Sequence, residues 1–167
     1  METLAIVIDN PGQLDLRKVA LREPGQGDVI VETHFSGVSS GTERLFWSGE
    51  MPYFPGMGYP LVPGYETVGV LVDNRASTKL KVGDYVFVPG ANCYENVKGL
   101  FGASSCLLIA SDTKLIKIDP ELKAKGTLFA LAATARHAIA GLGNKLPSLI
   151  IGHGVLGRLL ARLTIAA

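Results

Sequence analysis

The stretch Ser148-Leu149-Ile150-Ile151-Gly152-His153-Gly154-Val155-Leu156-Gly157 runs an apolar segment straight into a G-x-G-x-x-G pattern. Arg158 to Ala166 follows and reads as a Leu-rich helix. With a strand before it and a helix after it, each glycine has its own task. Gly152 permits the tight turn, Gly154 lets backbone approach a pyrophosphate, and Gly157 lets the helix pack close to its strand. The helix N-terminus offers free N–H groups to the phosphates. A dinucleotide-binding unit is the expectation. Such a fold also needs an acid about 20 residues further on and several more strands. Ala167 comes before either, so the expectation is a truncated unit whose parent has roughly 300 residues or more, with weak cofactor binding of its own.

Working back from this motif, Asn144 to Pro147 is a connector, and Pro120 to Leu142 is Ala- and Leu-rich. Pro120 suits a first helical turn, and Gly141 or Gly143 suits the exit. Before Pro120 the chain is cut short repeatedly by glycine and proline. Leu4–Ile8, Leu14–Leu21, Asp28–Thr33, Thr67–Val72, Tyr85–Val88, Cys106–Ala110 and Lys114–Ile118 read as strands. Asp28–Thr33 alternates as a half-buried strand should. Strands this short, with turns this frequent, give a small barrel or sandwich. The fold class is mainly β: a barrel over 1–120, a connecting helical region over 121–147, and the opening of a nucleotide fold over 148–167.

Composition narrows the function. Hydrophobic residues make up 47% of the 167, too many for a disordered chain, and 16 Lys+Arg against 15 Asp+Glu leave +1. No global field attracts nucleic acid or an anionic membrane. No apolar run approaches the ~20 residues of a membrane span. Met1-Glu2-Thr3-Leu4 has an early acid and no basic region, unlike a secretory signal. Cys93 and Cys106 form no C-x-x-C and are expected to be inert, half-buried thiols. A soluble protein of the reducing cytoplasm is expected.

Several segments are similar to the medium-chain dehydrogenase/reductase family. In order they are Ser36-Gly37-Val38-Ser39-Ser40-Gly41-Thr42-Glu43, Tyr59-Pro60-Leu61-Val62-Pro63-Gly64-Tyr65-Glu66, Val82-Gly83-Asp84-Tyr85-Val86, Ala132-Ala133-Thr134-Ala135 and the glycine motif. The resemblance implies a GroES-like barrel that carries the substrate site, followed by a Rossmann domain. The stretches Ser40 to Leu45 and Phe54 to Pro60 further resemble a branch acting on a tetrapyrrole. Its members oxidise the 3-(1-hydroxyethyl) group of a bacteriochlorophyllide to 3-acetyl with NAD. Where zinc-dependent relatives place their ligands, this chain has Ser40, Tyr65 and a position near Ala130. Hydroxyls and a methyl group do not make a catalytic zinc site, so no metal is expected.

Without zinc, the hydroxyl proton needs a protein route. The resemblance implies Thr42 as the first acceptor, with Tyr65, Ser40 and Glu66 as further catalytic candidates. Leu45 to Tyr59 is the expected substrate surface. Phe46, Trp47, Tyr53, Phe54 and Tyr59 would stack on a flat macrocycle, and Met51 and Met57 would mould to it. The same side chains could instead cover the barrel's own core. Arg44 and His137 are candidates for a substrate carboxylate, and Thr134 joins Gly152, Gly154, Val155, Leu156 and Gly157 as a cofactor candidate. His34 could reach the macrocycle's magnesium or serve only the strand that carries it. The competing functions are a zinc-free quinone or enoyl reductase and a tetrapyrrole-binding module without catalysis.

Overall fold

Strand β3 (Asp28–Gly37) has hydrogen-bonded neighbours on both sides, β4 (Glu66–Asn74) and β6 (Leu107–Ser111). The computed structural model describes residues 1–75, 79–99, 101–143 and 145–167. Asn144, expected in the connector, lies outside them. The alternation expected over Asp28–Thr33 is not observed: Asp28, Val29, Ile30 and Val31 are all buried in succession. A strand covered on both faces carries a continuous apolar run. Asp28 is accommodated there by Arg22, whose Nη1 and Nη2 reach its two carboxylate oxygens at 2.6 and 3.1 Å, and by the Gly25 N–H at 2.7 Å.

The sheet continues through β5 (Tyr85–Val88) to β7 (Ile116–Lys117), in the order β6-β3-β4-β5-β7, all antiparallel. The expected strand Lys114–Ile118 shrinks to two residues, because a 3-10 turn takes Asp112–Lys114. Strands β1 (Glu2–Asn10) and β2 (Gln13–Ala20) form a separate hairpin. The hairpin is laced on by bridges from Ala5 to Ser105 and from Ile8 to Leu61. Val7, Val29, Val31, Leu71, Val86, Val88 and Leu108 are fully buried in the resulting core. Cys93 is wholly buried and Cys106 is exposed, so neither is the half-buried thiol expected.

The helix expected over 120–142 is two pieces. Pro120–Leu128 is 3-10 and broken at Lys123, which has φ of 48°. Helix proper is confined to α2 (Phe129–Ala140). Gly126 is pressed so closely to Ile118 and Val68 that a Cβ would lie 2.8 Å from each. That contact holds the irregular piece to the sheet.

The chain divides into compact units Met1–Thr127 and Leu128–Ala167. In the second, α2 packs with α3 (Val155–Ala166). Helix α3 starts three residues earlier than expected, capped by an extended Gly154 whose carbonyl accepts the Arg158 N–H at 3.0 Å. Ser148–Ile151 is neither a strand nor buried, with Leu149 75% and Ile151 92% exposed. Among the described residues no strand pairs with it, so its backbone has no ladder to join.

Two substitutions test this core. A Cβ on Gly69 would meet the Glu32 carbonyl oxygen at 1.9 Å, at the point where β3 and β4 shift register. Gly69→Ala should lower unfolding free energy in urea by about 2–3 kcal/mol; an unchanged midpoint would contradict the close approach. Hydrogen bonds from Arg22 hold the Asp28 carboxyl below its ordinary value. Their stabilisation is therefore complete above the usual carboxylate range and is lost as pH falls through the depressed one. Asp28→Asn should cost about 2 kcal/mol near neutrality, and the deficit should shrink in acid.

Candidate functional site

The last pairs of the β3–β4 ladder are Ser36 with Thr67 and Gly37 with Glu66. Beyond them the two strands continue into the segments 38–43 and 61–65. That register carries Thr42 and Tyr65, 23 residues apart in sequence, to the same place, where the Thr42 hydroxyl and Tyr65 phenol are hydrogen-bonded. Thr42 opens the short helix α1 (Thr42–Ser48). Tyr65 is steadied by its N–H to the Gly37 carbonyl at 3.3 Å and by the Phe101 ring, 4.8 Å away between centroids. Both hydroxyl-bearing residues are partly open to solvent.

Two acids sit close by. Glu43 is buried and accepts the Ser39 N–H at 2.8 Å and the Gly64 N–H at 3.2 Å. Ser39 Oγ in turn accepts the Gly41 and Thr42 N–H groups at 3.1 and 3.2 Å, which closes the entry to α1. Glu66 lies across Gly37, where a Cβ would come 2.4 Å from its Oε1. Burial raises the Glu43 carboxyl above its ordinary value against the pull of its hydrogen bonds. Burial, then repulsion from Glu43, raises Glu66.

Not every expected residue joins this cluster. Ser40 is exposed, and the capping role beside it belongs to Ser39. Arg44 is exposed. Residues 45–48 of the expected substrate loop are helix. Phe46 is buried with Ile8 and Leu61 in a small core of its own, and Met51, Phe54, Met57 and Tyr59 pack against it. Tyr59 also donates its hydroxyl to the Phe46 carbonyl. Phe46 is therefore corrected from a contact surface to core. Trp47 and Tyr53 remain outside, 42% and 83% exposed. A cavity of about 440 Å³ opens beside this loop, lined by Gly56, Tyr59, Pro60, Asn92, Asn96 and Lys98 among others. His34 lies on β3 against the Tyr85 ring.

Thr134 and His137 lie on α2 in the second unit, where the Thr134 hydroxyl bonds back to the Ala130 carbonyl at 3.0 Å. The glycine turn lacks the strand expected to enter it, but two of its glycines are conformationally confined. Gly152 adopts φ of 105°, and a Cβ on Gly157 would meet the Gly152 oxygen at 2.2 Å. Ser39 and Glu43 stood in the first motif of the resemblance with no role assigned to them, and Phe101 was not singled out from sequence. A signal that could have marked Ser39 and Glu43 is a serine followed by an acid, one residue off the usual capping-box spacing.

Residues 25–120 match the alcohol dehydrogenase GroES-like domain. The chain belongs to the medium-chain dehydrogenase family. It is 54% identical over 172 residues to the 2-desacetyl-2-hydroxyethyl bacteriochlorophyllide A dehydrogenase of Cereibacter sphaeroides. It is 52% identical over 168 residues to the protein of the same name from Rhodobacter capsulatus. In both comparisons all of this chain is covered and 54% of the relative, so it spans about half their length. Among solved structures, 2R,3R-butanediol dehydrogenase from Bacillus subtilis shares the fold with a TM-score of 0.73 at 22% identity. That match covers 100% of this chain and 55% of the other. CAD from Helicobacter pylori, complexed with NADP(H), gives 0.77 at 16%, covering 99% and 56%. The mainly β architecture expected from the strand pattern, and the GroES-like domain that the resemblance implies, are thus the family's. No helix among the described residues is long and apolar enough to cross a membrane.

The residues at the family's zinc positions do not fit that metal. Ser40 and Tyr65 offer neutral hydroxyls, the Tyr65 oxygen is engaged by Thr42, and a catalytic zinc takes nitrogen, sulfur or carboxylate donors. The acids give a prediction. A carboxyl raised by folding binds its proton more tightly in the native state, so its ionisation lowers stability as pH rises through the raised range. Glu66→Gln should therefore gain on the unsubstituted chain in urea denaturation as pH rises from the ordinary carboxylate range through the raised one. A constant difference across that range would contradict the coupling.

Proposed function

We propose that this chain is the substrate-recognition part of an NAD-dependent alcohol dehydrogenase that works without zinc. Its substrate is a bacteriochlorophyllide, whose 3-(1-hydroxyethyl) group it oxidises to 3-acetyl. The observation that carries the chemistry is the Thr42–Tyr65 hydroxyl contact. Identity above half to two relatives of that named activity supports the substrate class.

Oxidising a secondary alcohol removes a hydride from carbon and a proton from oxygen. The residues that would hold the dinucleotide are Gly152, Gly154 and Gly157 with the α3 N-terminus; the positive φ of Gly152 and the close seat of Gly157 support that reading. When bound, the nicotinamide accepts the hydride. The proton is the protein's task. Thr42 Oγ accepts it from the substrate hydroxyl while its own proton passes to the Tyr65 oxygen, and the phenol proton leaves to water at its exposed edge. Hydroxyls suit this relay because each donates and accepts at once. A conjugated macrocycle spreads the positive charge that develops at the carbinol carbon, so less electrophilic help is needed. Trp47 and Tyr53 are the aromatic faces left free for the ring.

Steady-state kinetics on the full-length enzyme with 3-(1-hydroxyethyl) bacteriochlorophyllide test the relay. Thr42→Val should lower kcat on the order of 100-fold with KM little changed, and Thr42→Ser should restore most of it. Trp47→Ala should act mainly on KM. Wild-type turnover in either Thr42→Val or Tyr65→Phe would contradict the relay.

A further inference from the structure

The two hydroxyls of the relay sit on segments that no ladder joins directly: Thr42 begins α1, and Tyr65 precedes β4. One side chain bridges them. Glu43 follows Thr42, and one of its carboxylate oxygens takes the N–H of Gly64, the residue before Tyr65. The other takes the N–H of Ser39, whose own hydroxyl caps Gly41 and Thr42. Each oxygen thus anchors one flank of the pair. We propose that Glu43 is the positioning residue that holds Thr42 against Tyr65, acting through these two backbone N–H groups rather than on the substrate. This inference rests on the proposed alcohol oxidation.

Three features favour Glu43 over its neighbours. It is only 7% exposed, and losing the carboxylate would orphan a buried donor at Gly64 and a half-buried one at Ser39. Gly64 has little freedom to reorient: it adopts φ of 100°, and a Cβ there would meet Ser104 Oγ at 2.5 Å. Glu66, the second acid, makes no side-chain hydrogen bond among the described residues, so it holds neither segment. A glutamine at 43 keeps the shape but turns one acceptor into an NH₂ that faces an N–H donor.

The test is a double-mutant cycle on the full-length enzyme. Glu43→Gln should lower kcat on the order of 10-fold with KM within about twofold, and in a Tyr65→Phe background its effect should all but vanish. Equal losses in both backgrounds would mark a general structural role and overturn the proposal, as would no loss at all. Should Tyr65→Phe itself leave kcat intact, the proposed relay fails and this inference with it; additivity with a working relay sinks this inference alone. Amide exchange on the 167-residue chain gives a second reading. Glu43→Gln, or Glu43→Asp if the first does not fold, should speed exchange at Ser39 and Gly64 while the β3–β4 ladder stays protected. Unchanged exchange at those two amides, or loss of protection throughout, would equally overturn it.

Discussion

The register of β3 against β4 is the constraint on which the site depends. Gly37 opposite Glu66 ends the ladder, and the two chains leaving it carry Thr42 and Tyr65. A slip of one residue would reverse the facing of every side chain on one strand and part the pair. That register is secured inside the barrel, by the buried run Asp28–Val31 and by Gly69, which admits no side chain against Glu32. The Thr42–Tyr65 contact beyond the strand ends therefore depends on packing several residues away.

Around the pair, the local charge is unusual. Two acids raised by burial, Glu43 and Glu66, lie beside two neutral hydroxyls. Such a setting discourages a stable alkoxide and favours handing a proton on. The proposed hydroxyl relay would meet that demand by passing the proton along, whereas a catalytic metal meets it by polarising the oxygen. The proposed conjugated substrate would suit the first arrangement because it would ease hydride loss itself. The exposed Trp47 and Tyr53 and the polar-rimmed cavity near Lys98 lie along the loop that the aromatic content marks out.

Much of this was legible in the chain. Turn glycines and β-branched runs located the strands, and Tyr85–Val88 coincides with β5. Thr42 and Tyr65 came from the resemblance, and the structure brings their oxygens together. What escaped was set by tertiary context. Period-two alternation failed over Asp28–Val31 because the strand is covered on both faces. Ala- and Leu-rich composition suggested one helix from Pro120, but a tight seat for Gly126 imposes an irregular start. Phe46 and the methionines resemble a binding surface in composition, and only packing shows that they serve a satellite core. Glu43 looked like a flanking acid because its partners are backbone N–H groups, which leave no mark in sequence.

The most direct measurement is the single-turnover rate of NADH formation from 3-(1-hydroxyethyl) bacteriochlorophyllide by the full-length enzyme after exhaustive chelation, with metal content assayed in the same sample. A hydroxyl path requires the rate to stay at its untreated value with no zinc present. A rate that collapses on chelation and returns when stoichiometric zinc is added would contradict it.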